Sequence, residues 1–416
     1  MTNSIRNYRR TLRACNLGGF IESASMNLSP FLFIPLNVLY GITYTQIGFL
    51  VFLNFAAQFV ADVFLGHPIN KYGYRPFCIG SQFAVVFALV LFAGAPLLMP
   101  DNPFILLVIA TIILGGAAGL MEALLSPLTK AIPTEDSKDA NFMIMHTSFA
   151  AGIFAAAFFT TILLYILGTE MWQLVVLLWA ILPLVNAFMF INAPMPKIIP
   201  ESQRMKVGQI LKNKIFIIGF FAIFFGAATE LLIVQWGSSY LEKGLGISKI
   251  VGDVGGLCLF AFMLGLARIL YVKTEGRFNL NNLMIYGSLA CVVCYIILAT
   301  APSIWIVLAA FGLIGFFSSM LWTGTLLVTA NKLPNTGVFI FAFLAGGGDL
   351  GTAFAGQAVG SLSDFFVAHA PAGVQAHQYG LRLAIAVAII IPVLSVIFQL
   401  ILKKLAPYQN SKTVKE

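Results

Sequence analysis

The stretch Asn192 to Asn213, NAPMPKIIPESQRMKVGQILKN, is the longest polar break in the chain and decides how both flanks are read. Its three prolines cannot continue a helix, because proline has no N–H to give and its ring clashes with the preceding turn. Around it the chain is a succession of apolar runs. Of 416 residues, 59% are hydrophobic and 10% charged, where an ordinary soluble domain carries about 25% charged residues. The solvent is therefore lipid. Crossing a bilayer takes roughly 20 mostly apolar residues; six such runs precede the break and six follow it. The first, Asn16 to Tyr40, and the eleventh, Thr336 to Phe366, are long enough to tilt or kink. The expected architecture is an all-α integral membrane protein with twelve transmembrane helices. An N-terminal six-helix half spans residues 1–191, a cytoplasmic linker 192–213, and a C-terminal half with a short basic tail 214–416.

Orientation follows from cations in short loops. With both termini inside, only Lys243, Lys249 and Arg382 of the 24 Lys and Arg fall outside. The cytoplasmic set includes Arg13, Lys71, Arg75, Lys130, Lys138, Lys197, Arg204, Arg268, Lys273, Arg277, Lys332, Lys412 and Lys415. A multi-pass protein of the cell (cytoplasmic, inner) membrane is expected, its formal charge of +8 facing anionic lipid rather than nucleic acid. The basic start MTNSIRNYRRTLR is followed by no cleavage pattern, so the first helix is expected to be kept. The five cysteines are odd in number and lie within apolar runs, so no disulfide framework is expected. Cys291 and Cys294 have redox spacing, but within a lipid-embedded helix they read as packing. No metal site is expected.

The two halves echo each other. Lys71 to Arg75 after the second run resembles Lys273 to Arg277 after the eighth; Pro133 answers Pro334; Gly41-Ile-Thr43 answers Gly246-Ile-Ser248. Two halves related by an axis along the membrane normal suit a transporter that rocks about a central site. No loop is large enough to house a soluble catalytic domain, so an enzyme is not expected.

The stretch ADVFLGHPINKYGYRP, Ala61 to Pro76, resembles the loop signature of the major facilitator superfamily. Asp62, Gly66, Lys71, Gly73 and Arg75 carry the match, with Gln58 where the signature begins on Gly. The resemblance implies a conformational gate in which Asp62 latches one state. The Gly-rich run Gly115 to Pro127 around Glu122, and the run Gly346-Gly-Gly-Asp349-Leu-Gly351 ending at Gly360 and Asp364, resemble the fucose permease branch of sugar and proton symporters. That likeness implies a functional acid at Glu122. Ser126 stands where the branch has Asn.

Acids at membrane depth cost several kcal/mol and generally face an internal cavity. Four qualify, Glu22, Glu122, Glu230 and Asp349. Desolvation disfavours their charged form, so water or substrate entry changes their proton occupancy, as a coupling site requires. For Glu22 a second reading is a pair with Arg13 near the inner surface. Gln235 and Trp236 follow Glu230, and two readings stand for them, an aromatic with amide donors for a sugar ring or an interfacial anchor. Asn27, Asn54, Gln58, Trp322 and Thr323 are further lining candidates, and His146 reads as structural.

The expected function is secondary active transport of a small polar solute of sugar-like chemistry by alternating access, as proton symport with Glu122 as coupling residue. No cofactor beyond a proton gradient is expected, and the partners are a small-molecule substrate and membrane lipid around a monomer. Proton-coupled efflux of drugs or metabolites is the second reading. Against it, Ser148 to Phe154 in the fifth run lacks the Gly-Pro pair usual in such antiporters. From another class, a membrane sensor or lipid-handling protein would be expected to bring a longer tail than Ala406 to Glu416.

Overall fold

Long apolar runs have one way to satisfy their backbone in lipid without closing a barrel, which is to coil it into helices. The computed structural model describes residues 2–132, 140–196, 205–274, 277–333, 336 and 338–407, and among them there are helices and no strands. Pro133, Lys138, Lys197, Arg204, Glu275, Gly276, Pro334, Lys412 and Lys415 lie outside the described residues. The first span is Thr2–Met26, continued by Leu28–Phe31 and Phe33–Tyr40. It breaks at Asn27 and Leu32, next to Pro30 and Pro35. The second is Tyr44–Tyr72, the third Tyr74–Leu98, the fourth Pro103–Ala131, the fifth Ala140–Leu167 and the sixth Thr169–Ile191. After the linker come the seventh, Lys214–Gly244, the eighth, Lys249–Lys273, and the ninth, Leu280–Thr300. The tenth is Ile304–Lys332, the eleventh Phe339–Ala368 and the twelfth Ala376–Leu405. The eleventh, expected to tilt or kink, runs as one unbroken helix.

The internal echo is visible in the backbone. The first span ends at Gly41 in the left-handed region (φ 67°), with the Gly41 N–H donating to the Asn37 carbonyl and the Ile42 N–H to that of Leu36. The seventh ends identically at Gly246 (φ 69°), whose N–H reaches the Glu242 carbonyl while the Ile247 N–H reaches that of Leu241. Each is a glycine C-cap of the αL type, in which the glycine N–H reaches back four residues, with a buried isoleucine behind it. The close helix crossings repeat as well. Gly115 of the fourth span lies against the Asn54 backbone of the second, and Gly315 of the tenth against the Phe260 backbone of the eighth. Gly152 of the fifth lies on the Phe20 carbonyl of the first, and Gly351 of the eleventh on the Phe224 carbonyl of the seventh. Gly41 and Gly246 are 205 positions apart, Asn54 and Phe260 206. The added residue is absorbed by the π-helical turn Asp253–Leu257 in the eighth span, since a π-turn accommodates one extra residue in a helix.

Small residues at these crossings let backbones touch where lipid gives no hydrophobic drive to association. Gly315→Val is therefore expected to overpack the eighth and tenth spans and cost roughly 1–3 kcal/mol, read as a lower melting temperature in detergent. Gly116→Val, where an added Cβ meets nothing within 4 Å, is the control expected to leave it unchanged.

Candidate functional site

The fourth, fifth, seventh, eighth and tenth spans converge on a small closed cavity of about 10 Å³, lined by Glu122, His146, Glu230, Arg268 and Trp322 with Phe149 and Leu231. Room for a water needs about one probe sphere of this size, so the site is shut around itself. The tenth span supplies its geometry through a break. Its helix stops at Ser318 and resumes at Leu321. The Ser319 carbonyl in the gap accepts the Arg268 Nε–H at 3.1 Å and the Thr323 hydroxyl at 3.2 Å. Trp322, on the first turn of the resumed helix, donates its indole N–H to Glu122 Oε1 at 3.1 Å.

Arg268 is the centre of charge. It is 1% exposed, and its guanidinium reaches Glu230 Oε1 at 3.0 Å and the His146 carbonyl at 2.6 Å. One side chain thus joins the seventh, eighth and tenth spans to the fifth, in the opposite half. This corrects the sequence expectation, which placed Arg268 in a cytoplasmic loop. It lies more than one turn inside the eighth span because its charge is neutralised by Glu230 rather than by water. His146, read from the sequence as structural, sits at the same place. Its ring lies 3.4 Å from the Ser126 hydroxyl and 4.5 Å, centroid to centroid, from Phe142, and it lines the cavity.

Glu22 is not paired with Arg13. It is buried and hydrogen-bonded to Glu122. Two carboxylates have only acceptors between them, so a hydrogen bond joining them requires at least one proton on the pair. Glu122 therefore contacts Glu22 in its own half and Trp322 in the other.

Other candidates fall elsewhere. Gln235 donates to the Asn27 side-chain oxygen at 2.6 Å, and Asn27 donates to the Ser23 carbonyl at 2.8 Å, a cross-half contact beside the first span's break. Trp236 is neither a free stacking surface nor an interfacial anchor. It is buried, donates to the Gly356 carbonyl at 3.0 Å and fills the space over Gly360 and Gly48 between the seventh, eleventh and second spans. Asn54 and Gln58 are buried, and their amides find no hydrogen-bond partner among the described residues. Asp349 does not line the cavity; it is buried beside Asp62, and both lie within electrostatic reach of Glu122. In the gate loop, Gly66 falls within the second helix, and Gly73 (φ 88°) alone forms the turn to the third. Lys71 lies over the Tyr72 ring and Arg75 donates to the Ala193 carbonyl at 2.9 Å.

Asp62, expected at a helix end as the gate acid, is fully buried. One buried acid escaped the sequence reading: Asp253 in the π-turn, paired with Lys249 at 2.9 Å and accepting from Thr161 of the opposite half at 2.7 Å. Asp253–Thr161 and Thr45–Asp364 bridge the halves on the outer side. On the inner side Lys130 donates to Asn331 at 2.6 Å. The site is closed from both directions. Among the described residues no group of His, Cys, Asp and Glu is disposed to hold a metal ion.

Two pseudo-symmetric sets of helices closed over a charged pocket, bridged on both faces, define a membrane transporter rather than an enzyme. The chain belongs to the Major Facilitator Superfamily, whose family model matches residues 15–356. No curated protein sequence matches it. Among solved structures it resembles the proton:xylose symporter XylE bound to 6-bromo-6-deoxy-D-glucose, at 16% identity over 97% of both chains with a TM-score of 0.75. It is also similar to the E. coli fucose:proton symporter FucP, at 14% identity over 94% of this chain and 99% of that one with a TM-score of 0.64. A third is a bacterial homologue of the human lysosomal transporter Spinster, inward-facing and occupied, at 15% identity over 95% and 97% with a TM-score of 0.69. At such identities the likeness is one of fold.

Proposed function

We propose that the protein imports a small polar solute of sugar-like chemistry together with protons, by alternating access, as a monomer in the cytoplasmic membrane and with no cofactor besides the proton gradient. The observation that carries this reading is the position of Glu122. Its carboxyl is buried between the halves and bonded at once to Glu22 on one side and Trp322 on the other. Gaining or losing the shared proton changes a contact that crosses the interface. Arg268, Glu230 and His146 supply fixed donors and acceptors for a hydroxylated solute, and the Trp322 ring an apolar face. Structural neighbours named as sugar–proton symporters support the solute class, and neighbours solved in outward and inward-facing states support alternating access.

The test is uptake by purified protein in liposomes, screened across sugars, organic acids and amine drugs with and without an inward proton gradient. Accumulation of a sugar or sugar acid only under the gradient is the expected result. Extrusion of a drug against its gradient would replace this reading with proton-coupled efflux, and gradient-independent accumulation would remove the proton.

A further inference from the structure

The eighth, ninth and tenth spans enclose a second, larger cavity, an apolar groove of about 370 Å³ that opens toward the lipid. Its size falls within the roughly 300–1,000 Å³ of pockets that hold small ligands. At its deep end Gly287 of the ninth span lies against the Phe317 carbonyl of the tenth. From there it runs past Ala267 and Tyr271 to Thr274 and Phe278, between the inner ends of the eighth and ninth spans, roughly 10 Å of helix rise away. Its back wall is the tenth span's break. Phe316, Ser319 and Met320 line it, and the Ser319 carbonyl is the one that holds Arg268. Beside its mouth stand Lys273 and Arg277, both exposed and neither with a side-chain hydrogen bond or ion pair among the described residues.

The internal repeat supplies a comparison. A groove of about 610 Å³ lies at the equivalent place in the first half, lined by Ala61 and Phe64 where the second half has Ala267 and Leu270. Gly116, Ala117 and Leu120 likewise stand for Phe316, Phe317 and Met320. That groove is lined by apolar residues throughout, and toward the inner side it ends at Phe64 and Leu120, two turns or more before its helices end at Tyr72 and Ala131. The cations of its loop are engaged elsewhere, Lys71 over the Tyr72 ring and Arg75 on the Ala193 carbonyl. Lipid meets both grooves. Of the two, only the second-half groove reaches the depth of the headgroups, where free Lys and Arg attract anionic lipid.

We propose that this groove is a binding site for one anionic phospholipid of the inner leaflet. An acyl chain lies along the eighth and ninth spans against the tenth span's break, and the phosphate rests between Lys273 and Arg277. Tyr286, exposed on the groove's rim, adds an amphipathic side chain near the interface. The site lies behind the break that positions Arg268, on the lipid side of it. The proposal rests on the membrane fold and on the inner placement of these helix ends, and on neither the solute nor the proton.

The test is native mass spectrometry of the purified full chain in detergent, titrated with dioleoyl phosphatidylglycerol or with dioleoyl phosphatidylcholine. One phosphatidylglycerol is expected to stay bound under conditions that strip phosphatidylcholine. Lys273→Gln with Arg277→Gln, a change confined to the surface, is expected to weaken that binding roughly thirtyfold at low salt. Leu283→Trp, which fills the groove from its wall, is expected to abolish it. Gly116→Trp fills the equivalent groove of the first half, where an added Cβ meets nothing within 4 Å, and is expected to leave binding unchanged. Melting curves without lipid establish that each variant is folded, and the charge variant decides the matter if Leu283→Trp is not. Equal retention of the two lipids, or phosphatidylglycerol binding unaltered by the charge variant, would overturn the site. Loss of binding in Gly116→Trp as well as in Leu283→Trp would overturn its placement in the second half. Displacement of phosphatidylglycerol by an equal concentration of glycerol phosphate would overturn the lipid in favour of a free phosphate ligand.

Discussion

Proteoliposomes carrying Glu122→Gln are expected to exchange solute across the membrane but not to concentrate it. Gln keeps the local geometry, because its carbonyl still accepts from the Trp322 indole N–H and its amide donates to Glu22 in place of the shared proton. What it loses is the exchangeable proton. With one proton per solute, a gradient of one pH unit supports about tenfold accumulation, since about 1.4 kcal/mol is a factor of ten. The wild type is expected to approach that ratio and the variant to stop near equality. Glu22→Gln separates the two members of the pair. If it abolishes accumulation while Glu122→Gln does not, the proton leaves from Glu22 and the assignment to Glu122 is wrong. Exchange lost in both variants would show that the carboxyls hold the solute rather than the proton.

The depth of these acids was legible from sequence; their partners were not. Glu122 stands out because it is the one charged group in Gly115 to Pro127, with Ser126 its sole polar company along that stretch, and lipid makes that costly. The repeated Gly-Ile turns at Gly41 and Gly246 were readable because only glycine enters the left-handed region without strain. Arg268 was misread for a physical reason. The rule that counts cations on the inner side assumes that each is solvated, and it cannot distinguish a loop arginine from one a turn deeper whose counter-charge sits 38 positions away on another helix. A signal was available in the internal repeat. The 206-position offset relating Asn54 to Phe260 also relates Asp62 to Arg268, so the gate acid of one half and the buried arginine of the other occupy equivalent places. Trp236 failed as a site residue because the space its ring fills is made by Gly48 and Gly360, on two helices far away in sequence. Asp253 escaped notice because it lies near Lys249, where a polar helix start reads as interfacial until the π-turn carries it inward.

Arg268→Ala is expected to be the most damaging single change, for stability as well as transport. It leaves Glu230 as a buried acid with neither oxygen paired, since Oε2 already lacks a partner and Oε1 would lose the guanidinium. Removing one member of a buried pair costs about 3–5 kcal/mol, enough to lower the melting temperature in detergent and to reduce the yield of folded protein. The charge explanation is tested by the double variant Arg268→Ala with Glu230→Gln. Removing the stranded acid is expected to recover most of the lost stability, because replacing both members of a buried pair is far milder than breaking it. Transport is expected to stay lost in the double variant. The guanidinium also holds the Ser319 carbonyl in the tenth span's break and the His146 carbonyl of the opposite half, and no other side chain of the site spans those three helices. Arg268→Lys addresses this second role. It keeps the charge for Glu230 but lacks the planar fork that presents separate N–H groups in three directions. Its stability is expected to be near wild type and its uptake strongly reduced. If the double variant is no more stable than Arg268→Ala, the damage comes from the carbonyl contacts and not from an unpaired acid. If Arg268→Lys transports normally, the strut across the halves is dispensable and Arg268 serves only to neutralise Glu230.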